Sequence, residues 1–155
     1  MTLSTINRHA VAVDLLSLQA RVNIIEEVTG ISARILRKAF FEMHHRSPPS
    51  GSSKFTTNFI FKSFQKTKQA TLFLFFFRIE EDDEFYRRCI NAYRRYDKYI
   101  FTVSNRKPLL SFSDSWMIAK WSECGTLKLV RCGHCRSAKV VSSEFQSSVC
   151  SVCKH

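Results

Sequence analysis

The sequence predicts a mainly α protein: a multi-helix domain with a helix-turn-helix-like N-terminal part and a small C-terminal zinc-ribbon-like β module. Three observations predict it. Apolar residues recur at spacings of three and four through much of the first 124 residues, which is the period of an α-helix packed on one face. Gly, Ser and Pro cut that pattern into pieces of ordinary helix length. The last 24 of the 155 residues then carry two C-x-x-C pairs, Cys132-Gly-His-Cys135 and Cys150-Ser-Val-Cys153. The expected division is a helical domain over 1–124 and a four-cysteine metal module over 125–155.

The first element is expected over residues 11–28. Val11, Leu15, Leu18, Val22 and Ile25 form one stripe with a coiled-coil-like seam, and Leu16 and Ile24 widen it. Gly30 is a natural stop and Ser32 a natural N-cap for a second helix from Ala33 to Met43. That helix is expected to bury Ile35, Leu36, Ala39 and Phe40 while exposing Arg34, Arg37 and Lys38. Helix, short glycine turn and basic second helix together outline a helix-turn-helix over about residues 15–43. The same outline also fits a purely architectural αα-corner.

Ser47-Pro-Pro-Ser-Gly-Ser-Ser53 cannot continue a helix and reads as a linker. Thr56 or Thr57 is expected to cap a helix carrying Phe59, Ile60, Phe64 and later the run Leu72-Phe-Leu-Phe-Phe-Phe77. This run is far shorter than the roughly 20 residues needed to span a bilayer. Left uncovered, it is an aggregation hazard, so it calls for burial within the chain or against a partner. The acidic stretch Glu80 to Glu84 suits the start of a helix over about 83–100. There Phe85, Cys89, Ala92, Tyr93, Tyr96 and Ile100 form the apolar side, and Arg87, Arg88, Arg94, Arg95 and Lys98 form a basic flank. Ser113 is expected to cap a helix from Asp114 to about Cys124 containing Trp116, Ile118, Ala119 and Trp121, with Gly125 ending it. Thr126 to Val130 and Ala138 to Val141 read as short strands.

The two C-x-x-C pairs put four thiolates on two tight turns, the ligand arrangement of a structural zinc site. Cys132, Cys135, Cys150 and Cys153 are the expected ligands of one zinc ion per chain. Gly133 is expected to supply the positive φ that the knuckle needs, and His134, between two ligands, is expected to point away from the metal. Rubredoxin-like iron has the same ligand set. Disulfides would require an oxidising compartment, and Met1-Thr-Leu-Ser-Thr-Ile6 has neither the basic nor the apolar region of a signal peptide. A cytoplasmic location without membrane insertion is therefore expected. A thioredoxin-type pair would leave the second pair unexplained. Cys89 and Cys124 fall in helical patterns and are expected in the core.

Twenty-four Lys and Arg against 13 acidic residues give a net charge of +11, which favours an acidic polymer or acidic protein as partner. No Walker loop, G-x-G-x-x-G, G-x-S-x-G or H-E-x-x-H occurs, and no nucleophile is paired with a base, so no enzyme is expected.

Several segments together resemble one known family. They are Ala20-Arg-Val22, the Ile31-Ser-x-x-x-Leu36 turn-helix, Arg46-Ser-Pro-Pro49 with Phe55-x-Thr57, Ala92-Tyr-Arg94 with Tyr96, Pro108-Leu-Leu110 ahead of Trp116, and Leu127-x-Leu129 leading into the paired C-x-x-C motifs. This combination, spread over about residues 11–153, resembles the FlhC family, the C subunit of the bacterial flagellar master transcriptional activator. The resemblance implies an FlhD-like partner in a heterohexamer of four D and two C chains, binding to promoter double-stranded DNA, and recruitment of RNA polymerase. It also implies zinc on Cys132, Cys135, Cys150 and Cys153. The chain departs from that family's pattern in residues 62–84, which are unusually rich in Phe and acid, and in a lean loop between the cysteine pairs. It also ends two residues beyond Cys153, where longer relatives carry a tail.

The leading expectation is a DNA-binding activator subunit of flagellar operons. Its candidate contacts are Arg34, Arg37 and Lys38 on the second helix, the basic flank of 87–98, and Arg131, Arg136 and Lys139 beside the cysteines. The alternative is a zinc-stabilised protein-interaction adaptor that makes no direct contact with DNA.

Overall fold

The computed structural model describes residues 1–144 and 149–155. Among them are six α-helices, a short 3-10 helix and a two-stranded sheet next to the cysteine cluster, the mainly α architecture expected. The helices are α1 (Leu3–Ser17), α2 (Val22–Thr29), α3 (Ala33–His44), α4 (Phe64–Ile79), α5 (Phe85–Ser104) and α6 (Phe112–Glu123); the strands are β1 (Leu127–Arg131) and β2 (Ala138–Ser142). The chain divides into two compact units, residues 1–52 with 111–113, and residues 53–110 with 114–155.

In the first unit, the single helix expected over 11–28 is two helices. Gln19 takes a left-handed φ of 57°. The Ala20 N–H donates to the Leu15 carbonyl and the Gln19 N–H to the Leu16 carbonyl, at 3.0 and 2.9 Å. This is a Schellman stop made without glycine. The Arg21 N–H then donates to Ser113 Oγ at 3.0 Å, and the Arg21 guanidinium donates to the carbonyls of Ser50 and Gly51 at 2.9 and 2.7 Å. Ser113 therefore does not cap its own helix, which already begins at Phe112; its hydroxyl satisfies the residue preceding α2.

Gly30 ends α2 as expected, with φ 68° and its N–H bonded to the Glu26 carbonyl. Ser32 occupies the N-cap position of α3 with an extended backbone, but its side chain makes no capping bond. The carboxylate of Glu26 takes that role, accepting from the Ala33 N–H at 3.1 Å. One residue thus terminates α2 through its carbonyl and starts α3 through its side chain. Leu36 and Phe40 are buried, stabilising the corner by about 1.5–3 kcal/mol each. Ile35 was expected inside but is 61% exposed, because it projects one residue ahead of the buried i, i+4 pair.

In the second unit, the helix expected from Thr56 is interrupted. Residues Thr57–Ile60 form a 3-10 turn, and α4 starts afresh at Ser63, whose hydroxyl accepts from the Lys66 N–H at 3.2 Å. Thr57 is drawn away from a capping role by its own partners: its hydroxyl bonds the Ser142 hydroxyl at 2.9 Å and the Glu144 carboxylate at 3.0 Å. The Phe-rich run lies in α4, with Phe73, Leu74 and Phe77 buried and Phe75 exposed. Its apolar residues are spread widely around the helix because two sides are covered. Phe73 meets Tyr96 of α5 edge-on at 6.2 Å, and Thr71 Oγ1 accepts from the Val140 N–H of β2 at 3.3 Å. Phe77, Phe85 and Trp116 continue an edge-on aromatic chain at 5.8 and 4.9 Å.

On α5 the expected stripe is buried at Cys89, Ala92, Tyr93, Tyr96 and Ile100, while Phe85, the first residue of the helix, is half-buried. Its basic flank is partly neutralised. Arg88 binds Glu123 at 3.0 Å and sits over the Phe77 ring at 4.8 Å, and Arg95 binds Glu80 at 3.0 Å. Strands β1 and β2 pair antiparallel from Leu127↔Ser142 to Arg131↔Ala138. Period-two alternation gives Leu127, Leu129, Arg131, Ala138 and Val140 one face, on which Leu127 and Val140 are buried, and gives Lys128, Val130 and Lys139 the other.

Candidate metal centre and basic surfaces

Cys132 follows β1 directly, and Cys150 and Cys153 come from the C-terminal segment. The two C-x-x-C turns are built alike. After the first, Arg136 takes φ 63° and its N–H donates to the Cys132 carbonyl at 3.0 Å, while the Cys132 N–H donates to the Ser137 carbonyl at 2.8 Å. After the second, Lys154 takes φ 61° and donates to the Cys150 carbonyl at 2.9 Å, while the Cys150 N–H donates to the His155 carbonyl at 2.8 Å. The left-handed residue of each knuckle is thus the one after the second cysteine. Gly133 does not have a positive φ, and a Cβ built on it would meet nothing within 4 Å, so the expected need for glycine there does not hold.

All six cysteines are free thiols. The sulfurs of Cys132, Cys135, Cys150 and Cys153 lie within 4.8 Å of one another, with Cys132–Cys153 and Cys135–Cys150 each 3.7 Å apart. Zinc–sulfur bonds of about 2.3 Å at tetrahedral angles place sulfurs about 3.8 Å apart. The four thiols could hold a metal ion, and their spacing suits zinc. Their protonation is graded. Hydrogen bonds from the Ser137 side chain and backbone lower Cys135 to about 6, and backbone N–H groups of Cys135 and His134 lower Cys132. Cys153, although the His155 backbone favours its thiolate, is pushed up to about 11 by desolvation and the neighbouring sulfurs. The His134 ring stacks on that of His155 at 5.0 Å.

Cys89 is buried as expected, and burial raises its thiol well above the ordinary range. Cys124 is exposed at the end of α6, contrary to its expected place in the core. The tight turn after α6 leaves its sulfur beside the Thr126 hydroxyl at 3.2 Å, which lowers its pKa.

The candidate basic contacts fall into separate sets. Arg34, Arg37 and Lys38 are all exposed on α3. Arg37 and Lys38 open onto a cleft of about 770 Å³ walled by Phe41, Pro48 and Pro49, which Arg34 does not line. Arg131 and Arg136 share a groove of about 310 Å³ with Arg78 at the end of α4, whereas Lys139 is on the opposite face of the sheet from Arg131. Arg78 was missed by sequence reasoning, where it served only to bound the Phe-rich run; no local pattern brings it to the strands.

A family model described as "Flagellar transcriptional activator (FlhC)" matches residues 2–155. The chain belongs to the FlhC family. Its relatives include proteins named Flagellar transcriptional regulator FlhC from Enterobacter cloacae subsp. cloacae, 26% identical over 97% of this chain and 81% of the relative, and from Verminephrobacter eiseniae, 30% identical over 90% and 77%. A third, from Gallionella capsiferriformans, is 28% identical over 92% of this chain and 81% of its own length. An FlhC chain is a transcriptional regulator of the flagellar system. No helix among its described residues is long and apolar enough to cross a membrane.

Proposed function

We propose that this FlhC-family chain is a cytoplasmic DNA-binding subunit that activates flagellar operons, works in a complex with an FlhD-like partner, and recruits RNA polymerase. The observation that carries the reading is the family match over residues 2–155, joined to a helix–three-residue turn–helix corner whose second helix exposes Arg34, Arg37 and Lys38. In this reading the partner assembles with it as four D and two C chains. Arg34 and Arg37, in the first turns of α3, reach base edges, and Lys38, Arg131, Arg136 and Lys139 contact phosphates. One zinc ion on Cys132, Cys135, Cys150 and Cys153 closes residues 125–155 into a metal-ordered module following the helical domain 1–124. A saturated tetrathiolate site leaves no open coordination position, so its role is structural.

The test is binding of promoter and scrambled duplexes by the chain co-expressed with its FlhD-like partner, across a salt series. Arg34→Ala or Arg37→Ala should reduce the preference for promoter DNA by about 1–3 kcal/mol. Arg136→Ala should weaken both duplexes alike. Wild-type discrimination with intact assembly in the α3 variants would remove α3 as the reading element.

A second reading, a zinc-stabilised adaptor that binds only protein, draws on the exposed apolar residues Leu3, Ile6 and Val13 of α1, at 86, 50 and 54% exposure. Their spacing of three and seven puts them on one helix face. Assembly with the partner but no salt-sensitive DNA binding would favour it.

A further inference from the structure

Three arginines from separate stretches of chain converge on one groove in the second unit. Arg78 comes from the last turn of α4, Arg131 ends β1, and Arg136 is the left-handed residue of the first cysteine knuckle. The groove holds about 310 Å³, and Phe75, Leu129, Val130 and Ala138 complete its wall. Arg78 is braced from below: its guanidinium donates to the Leu129 carbonyl at 3.4 Å. None of the three meets a carboxylate among the described residues. Elsewhere the chain pairs comparable guanidinium groups with carboxylates, Arg87 with Asp82, Arg88 with Glu123 and Arg95 with Glu80. Three unneutralised guanidinium groups at one groove repel one another unless an anion is supplied from outside.

We propose that Arg78, Arg131 and Arg136 form a clamp for backbone phosphates of duplex DNA, and that the cysteine knuckle sets its geometry. The proposal rests on the DNA-binding reading above and adds to it the residue Arg78, the groove and the coupling to the metal. The guanidinium fork matches phosphate oxygens two at a time and remains charged at any physiological pH. The apolar wall offers no side-chain hydrogen-bond donor or acceptor to a base edge, so the clamp supplies affinity and register rather than sequence preference. Arg131 immediately precedes Cys132 and Arg136 immediately follows Cys135, so two of the three arms are carried by the turn that would wrap the metal. Arg78 is anchored on α4 instead and provides the fixed arm.

The experiment is duplex binding by the partner-co-expressed protein, measured by fluorescence anisotropy between about 50 and 200 mM salt. Arg78→Gln is compared with Arg131→Gln, Arg136→Gln and, as a control, Lys62→Gln, an exposed cation that does not line the groove. Each clamp variant should flatten the slope of log affinity against log salt by about 0.9 and weaken promoter and scrambled duplexes alike, by about tenfold. The control should leave both unchanged, and Arg78→Lys should recover most of the slope. Circular dichroism and zinc content equal to wild type show that the variants fold. Wild-type binding with an unaltered slope in Arg78→Gln overturns the clamp and leaves the DNA reading standing. Absence of DNA binding in the wild type overturns both. Loss of partner assembly in Arg78→Gln, with the salt slope preserved, would make the groove a docking site for an acidic protein surface and also overturn the clamp.

Discussion

Arg136 and Lys154 hold equivalent places in two copies of the same turn: each is left-handed, and each donates its N–H to the carbonyl of the first cysteine of its pair. The repetition explains how two segments separated in sequence present four sulfurs within 4.8 Å of one another. Each backbone turn is closed by its own hydrogen bonds, and the sulfurs are left to meet across the gap.

Serine at any one of positions 132, 135, 150 or 153 should abolish stoichiometric zinc and disorder residues 125–155, because metal binding and folding of such a module are one free energy. Cys89→Ser and Cys124→Ser should retain about one zinc per chain, since neither sulfur belongs to the cluster. Metal analysis with limited proteolysis reads both effects. Full zinc in Cys150→Ser would remove the ligand assignment, and a colourless protein would exclude iron.

Zinc binding should release protons, but fewer than four per site at pH 7.5. Cys135, lowered to about 6, is largely thiolate already, whereas Cys153, raised to about 11, must give up its proton to the metal's competition. Affinity should therefore fall as pH drops, most steeply once Cys135 also protonates near pH 6. Calorimetric titration in buffers of different ionisation enthalpy counts the protons, and a count of four at pH 7.5 would contradict the grading.

Phe73 and Phe75 are two residues apart in one apolar run but have opposite burial, 0% and 49% exposed. Phe73→Ala should cost about 3–5 kcal/mol in urea unfolding. Phe75→Ala should stay within about 0.5 kcal/mol and raise the solubility of the chain expressed alone. Equal effects would mean that the run is not packed as a helix.

Glu26→Ala should destabilise the α2–α3 corner by about 1 kcal/mol, the usual cost of losing an N-terminal cap, and Glu26→Gln by less because an oxygen acceptor remains. Ser32→Ala should be nearly neutral by comparison, since its hydroxyl makes no capping bond. Denaturation midpoints of the three variants decide which residue starts α3.

Features set by chemistry local in the chain were legible in the sequence. The cysteine pairs, the Gly30 stop, the buried stripe of α5 and the two strands depend on residue type at short spacing, and each lies within a few residues of its expected place. The break between α1 and α2 was hidden because the three-and-four apolar spacing runs through Leu18 and Val22 without a glycine or proline, and the left-handed residue is Gln19. Serine is the usual cap, so the sequence points to Ser32 as the start of α3, while the acceptor in fact reaches across from the preceding helix. Arg78 could not be associated with Arg131 and Arg136 from the sequence, because only the packing of α4 on the strands brings them to one groove.

The hydrogen bond from the Arg21 amide to Ser113 has a bearing on the order in which the protein is built. The first compact unit includes residues 111–113, so the three N-terminal helices leave the ribosome with a gap that cannot be filled until more than a hundred residues have been translated. At about 5–20 residues per second, some 60 residues between the linker and Ser113 correspond to several seconds during which the corner exists without its last partner. A nascent chain arrested near residue 95, with α1 to α3 clear of the exit tunnel and Ser113 not yet made, should show them as a loosened, protease-sensitive bundle, and one arrested well past residue 113 should show it tightened. Maturation of the N-terminal unit would then be timed by synthesis of the rest of the chain.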